Sequence, residues 1–110
     1  MDSILDSIKK MLGLADDYDA FDIDILIGIN SALMTLNQCG IGPTDGYVVT
    51  GRNNTWSDFL GSDRIDLEAV KMYVYVSTRM LFDPPASSSV ASALENTKKE
   101  LEWRLNVQVD

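Results

Sequence analysis

Five aspartates, Asp16, Asp17, Asp19, Asp22 and Asp24, form the densest group of potential ligands in the chain. Hard cations need several oxygen ligands at once, so the run invites comparison with a calcium loop. Its order is wrong for one: no Gly falls at the sixth position and no Glu at the twelfth from any usable start. Helix capping and a solvated anionic face account for the run more simply. Nor do Asp22 and Asp24 make an acid–base dyad, because residues two apart on a helix point in different directions.

The remaining chemistry is sparser. Cys39 is the single cysteine and the chain has no His. One chain therefore forms neither an intramolecular disulfide nor a zinc site of several thiolates and imidazoles. Ser-His-Asp and Cys-His nucleophiles are excluded with them. Cys39 itself closes an apolar segment with no neighbouring base, which suits a small buried residue rather than a nucleophile. Gly40-Ile41-Gly42 opens like a dinucleotide fingerprint, but Asp45 stands where the third Gly belongs and the motif follows a helix, so it reads as a helix stop. Asn53-Asn54-Thr55 fits a glycosylation acceptor, which matters only in a secreted protein. The start, Met1-Asp2-Ser3-Ile4-Leu5-Asp6, lacks the basic region of a signal peptide. No catalytic, metal or cofactor site is expected, and the chain reads as no enzyme.

What remains is a body that must act through its surface. At 110 residues the chain fits one domain, 1–110, and 45% hydrophobic residues suffice to fill its core. Nine Lys and Arg against seventeen Asp and Glu give a net charge of -8, which repels phosphates and anionic membranes. The acidity is concentrated early: residues 1–30 hold seven Asp and two Lys, whereas residues 51–82 balance four basic against four acidic residues. No apolar run reaches the ~18 residues of a membrane span. The expectation is a cytoplasmic, soluble protein.

The spacing predicts a mainly α bundle of four to five helices with a short β-hairpin between the central helix and the third long one. Ile4, Leu5, Ile8, Met11 and Leu12 recur at helical intervals, with Lys9 and Lys10 placed to complement the helix dipole and Gly13 beyond them. Asp19 is expected to cap a central helix that runs to Gly40. On it, Asp24, Gly28, Ser31, Thr35 and Gln38 form a small polar stripe, and Leu26, Ile29, Leu33 and Leu36 an apolar one that Ile23, Ile27 and Met34 widen. Such a helix is buried from more than one direction, centrally in the domain or partly against another subunit. Tyr47 to Thr50, Gly51 and Asn53-Asn54 read as strand, turn and returning strand. Thr55 caps a short turn through Trp56, Phe59 and Leu60 to Gly61, and Asp63 caps the third long helix. Val70, Val74 and Val76 favour a strand by propensity, but length and spacing make the segment a helix, stopped by Asp83-Pro84-Pro85.

Ser87 to Ser89 supply caps for the last helix, with Val90, Leu94, Leu101 and Leu105 inward and Glu95–Lys99 and Glu100–Arg104 pairs outside. The tail from Asn106 to Asp110 alternates like a strand that has nothing local to pair with, and is expected to add to a neighbour. Trp56 and Trp103 read as core anchors or as subunit contacts. Arg52, Arg64 and Arg79 are too few for a nucleic-acid stripe, and partner contacts fit them better. The residues expected at subunit or partner contacts are Tyr47, Val49, Arg52, Trp56, Arg79, Val107 and Val109.

One combination goes beyond these separate readings. Phe21-Asp22-x-Asp24-Ile25 leads to Ile29-Asn30-Ser31-Ala32-Leu33. It is followed by Gly40-Ile41-Gly42, by Trp56-x-x-Phe59-Leu60, by Val74-Tyr75 through Arg79-Met80-Leu81-Phe82-Asp83-Pro84-Pro85, and by Glu102-Trp103-Arg104-Leu105. In this order and spacing, over nearly the whole length, the chain resembles the small head–tail connector, or adaptor, proteins of tailed bacteriophages, also known as DNA-packaging proteins. The resemblance implies a helical bundle with a small hairpin. It also implies a ring, commonly of twelve copies, beneath the portal at the capsid vertex, with DNA passing through without specific binding and a tail or stopper protein docking below. It implies no active site and no membrane. A low content of fixed cations suits such a conduit, because each phosphate neutralised by Lys or Arg adds affinity. Rings also need heterologous contacts, for which the central helix, the hairpin and the tail are the candidates. An acidic helical mimic of DNA, bound to a DNA-binding enzyme, is the alternative.

Overall fold

The computed structural model describes residues 3–15, 17–61, 67–82 and 84–109, with 108 and 109 described by backbone alone. Five helices follow in chain order: α1 (Ile4–Met11), α2 (Asp22–Gln38), α3 (Trp56–Leu60), α4 (Leu67–Phe82) and α5 (Ser88–Val109). The mainly helical expectation is met. The short β-hairpin is not, since the described residues contain no sheet beyond one isolated antiparallel bridge between Ser3 and Thr55.

The loop from 39 to 55 is held by asparagine side chains, and that explains the missing hairpin. Asn30 on α2 donates from Nδ2 to the Val49 carbonyl at 3.0 Å and accepts the Val49 N–H at 2.7 Å. Asn54 Oδ1 accepts the N–H groups of Thr50 and Gly51 at 2.8 and 3.3 Å. Asn37 donates to the carbonyls of Ile41 and Pro43. A ladder needs these same backbone groups, and side-chain amides compete for them locally.

α4 lies at the centre of the bundle, packed against α2 on one side and α5 on the other. Val70, Tyr73 and Val74 of α4 meet Ile25, Ile29, Leu33 and Leu36 of α2 and Leu101 and Leu105 of α5 in one continuous core. Ile4, Leu5 and Ile8 close it from α1, and Val49, Trp56 and Phe59 from the loop side. Two glycines allow close approaches. A Cβ on Gly28 would stand 3.0 Å from Thr78 Cγ2 and 3.1 Å from its Cα, so α2 and α4 touch nearly backbone to backbone there. Gly42 has φ +91°, and a Cβ on it would fall 2.5 Å from the Phe59 ring.

Ends follow the expected chemistry in part. Ser3 caps α1, Thr55 caps α3 through the Asp58 N–H, and Ser87 Oγ accepts from the Val90 N–H. α2 departs from expectation: it begins at Asp22 behind Phe21 with no side-chain cap, and Asp19 contributes only its backbone carbonyl to the Asp22 N–H. The Asp63 cap lies outside the described residues. α5 continues through Asn106 to Val109, so the extended tail is corrected to helix. Four alternating residues at the end of a 22-residue helix extend it at little cost, because propagation adds a hydrogen bond per residue whereas a new strand has no partner. Lys9 is fully buried rather than solvated and pairs with Asp22 at 2.9 Å.

Candidate functional site

The described residues of the acidic run gather no ligand sphere. Among the described residues, no group of three or more His, Cys, Asp or Glu is placed to hold a metal ion, and no helix is long and apolar enough to cross a membrane. Asp22 is committed to Lys9, and Asp17, Asp19 and Asp24 are exposed. Cys39 is a free, half-buried thiol at the end of α2.

The residues expected at contacts do not converge on one patch. Val49 and Trp56 are each 1% exposed and face the subunit's own core; the Trp56 indole N–H donates to Ser7 Oγ at 3.1 Å. Tyr47 is half-buried, its ring 5.6 Å from that of Phe59. Arg52 is exposed and pairs with Asp6 on α1 at 3.0 Å. Arg79 donates to the Tyr75 hydroxyl, one turn back on α4, at 3.3 Å. Val107 stands exposed on α5, and the Val109 side chain lies outside the described residues. Arg52 and Trp56 thus tie the loop and α3 to α1, Val49 ties the loop to α2, Tyr47 packs on α3, and Arg79 and Val107 sit on separate helices.

A different surface is the more conspicuous one. Ile23, Ile27 and Met34, expected to widen the apolar side of α2, are 76, 61 and 63% exposed. They lie half a turn from Ile25, Ile29 and Leu36, so α2 carries two apolar stripes and the subunit buries one. Phe21 and Leu81 adjoin the exposed stripe. With Asp24, Ile27, Gly28 and Phe82 they line a groove of about 450 Å³ between α2 and the end of α4. The Phe21 ring sits 5.3 Å from that of Phe82, edge to face.

Leu81 is shared with a second, smaller cavity of about 280 Å³ further along the same small-residue stripe, bounded by Ser31 and Thr35 of α2 and Lys98 of α5. Its floor carries Tyr73, whose hydroxyl donates to Glu102 at 2.8 Å. Burial and the neighbouring carboxylate push the Tyr73 hydroxyl above its ordinary titration range. On α5, Trp103 and Val107 project from the face opposite Leu101 and Leu105. The signal for the second α2 stripe was legible in the spacing of Ile23, Ile27 and Met34; nothing local marked Trp103 as exposed.

Large apolar side chains left bare beside a filled core mark a surface suited to contact. Comparison with known proteins agrees. The chain matches the family model described as phage connector protein over residues 4–110, a span that takes in all five helices. No curated protein and no solved structure matches it. With that match running almost end to end, the chain belongs to the phage connector protein family, a family of structural proteins.

Proposed function

We propose that this protein is the head–tail connector, or adaptor, of a tailed phage: copies of it form a ring under the portal at the capsid vertex, extend the DNA channel and present the surface on which the tail or a stopper protein docks. Family membership makes it a virion component with a structural role. The observation that carries the reading further is the exposed apolar face of α2 and α4, of the size that marks an interaction surface and suited to neighbours of the same kind. The ring holds twelve copies, assembled in the bacterial cytoplasm. Its contacts are with itself, the portal and the stopper or tail-completion protein, and among the contact residues are Tyr47, Arg52, Arg79 and Val107. DNA slides through without being held, because a net charge of -8 leaves few cations to fix phosphates.

The test is electron microscopy of purified protein added to portal-bearing capsids that lack it. Added density in the form of a ring beneath the portal is expected. Protein that stays solitary, alone and with such capsids, overturns the reading.

A further inference from the structure

Two apolar features of the subunit stand exposed on different elements. One is concave: the groove between α2 and α4, walled by Phe21, Ile27, Leu81 and Phe82. The other is convex: the α5 ridge of Trp103 and Val107, which are 68 and 53% exposed. Leu101 and Leu105 turn the opposite face of α5 into the core against α4, so the ridge points outward and cannot reach the groove of its own chain. Resting on the ring reading above, we propose that the Trp103–Val107 ridge of one copy seats in the α2–α4 groove of the next copy.

Area and shape favour this occupant. Phe21, Ile23, Ile27, Met34 and Leu81 together leave on the order of 600 Å² of apolar surface bare, taking large side chains at roughly 200 Å² each. A standard interface takes about 800 Å² from each partner, so this face supplies most of one side. A cavity of about 150 Å³ already accepts a benzene ring, and the groove, at about 450 Å³, has room for an indole. Trp is among the side chains enriched as anchors of such contacts. A two-fold pairing of groove with groove would leave the ridge bare on both copies. Ridge into groove covers both features, and because the two patches differ, the contact repeats from copy to copy.

Two variants test it, each at an exposed position: Leu81→Glu, which spoils the groove, and Trp103→Glu, which spoils the ridge. Circular dichroism melts first establish that both fold; should Leu81→Glu fail, Ile27→Glu replaces it. Native mass spectrometry is then run on each variant and on their equimolar mixture. Each variant alone is expected to lose self-association at least 10-fold. The mixture is expected to form a dimer of one copy each and nothing larger, since one intact groove meets one intact ridge. If both variants assemble like the wild type, or if the mixture stays monomeric while the wild type assembles, the ridge-in-groove contact is wrong and the ring reading stands. If the wild type remains solitary even on portal-bearing capsids, the ring reading itself falls.

Discussion

The side-chain amide of Asn30 is bonded to both backbone groups of Val49, with its oxygen 2.7 Å from the Val49 nitrogen and its nitrogen 3.0 Å from the Val49 oxygen. A helix side chain thus stands in for a strand partner and fastens the 39–55 loop to α2. Val49, pinned this way, contributes its side chain to the core.

Asn30→Asp keeps the acceptor and removes the donor, leaving the Val49 carbonyl facing a carboxylate. We expect a loss of about 2 kcal/mol, the cost of an orphaned buried partner. Urea unfolding measures it, and amide exchange across residues 47–51 should rise in the same variant.

Gly42→Ala meets two penalties together, a left-handed backbone and a Cβ driven into the Phe59 ring. The expected cost is about 3 kcal/mol. Gly28→Ala gains about 1 kcal/mol of helix propensity but must push α2 from Thr78, for a net loss of about 1 kcal/mol. Thermal melts of the two variants should therefore separate clearly, with Gly42→Ala the less stable.

Lys9 and Asp22 are unequal partners, the ammonium fully buried and the carboxylate 27% exposed. Asp22→Asn takes a negative charge from beside a buried cation and should cost about 3 kcal/mol. Lys9→Met leaves a carboxylate that water reaches and should cost about 1 kcal/mol. The double variant should be more stable than Asp22→Asn alone, as denaturant unfolding of all three will register.

Tyr73 titrates above its ordinary range because burial and Glu102 favour its neutral form. A group whose folded pKa is raised contributes stability in full below its unfolded value, about 10 for Tyr, and loses it as pH climbs beyond. Stability should fall from pH 10 upward, and Tyr73→Phe, costing about 1–2 kcal/mol at neutral pH, should flatten that part of the curve. Unfolding free energies measured from pH 7 to 11 decide it.

How far the sequence could be read depended on whether the deciding partner was local. Helical periods, the Thr55 and Ser87 caps, the Gly40-Ile41-Gly42 stop and the Phe82 end were legible because neighbours in the chain determine them. Tyr47 to Thr50 reads as a strand by composition, yet its partner is the amide of Asn30, 19 residues earlier, and no local pattern announces that. Lys9 looked like a dipole partner at a helix end until Asp22 arrived from the next helix to bury it. Val107 alternates like a strand residue but inherits the helix that Leu101 and Leu105 anchor. Of the two tryptophans, Trp56 fills the core and Trp103 stands bare, a difference set by packing alone.

α1 is eight residues long, and isolated helices below about 12–15 residues are marginal in water. What holds it comes from far along the chain: Arg52 grips Asp6, Thr55 bridges to Ser3, and the Trp56 indole reaches Ser7. α1 therefore leaves the ribosome well before it is fixed, waiting for residues about fifty positions behind it. Until Trp56 emerges, Ile4, Leu5 and Ile8 lack part of their socket, and a nascent chain arrested before that point should remain open to protease at α1.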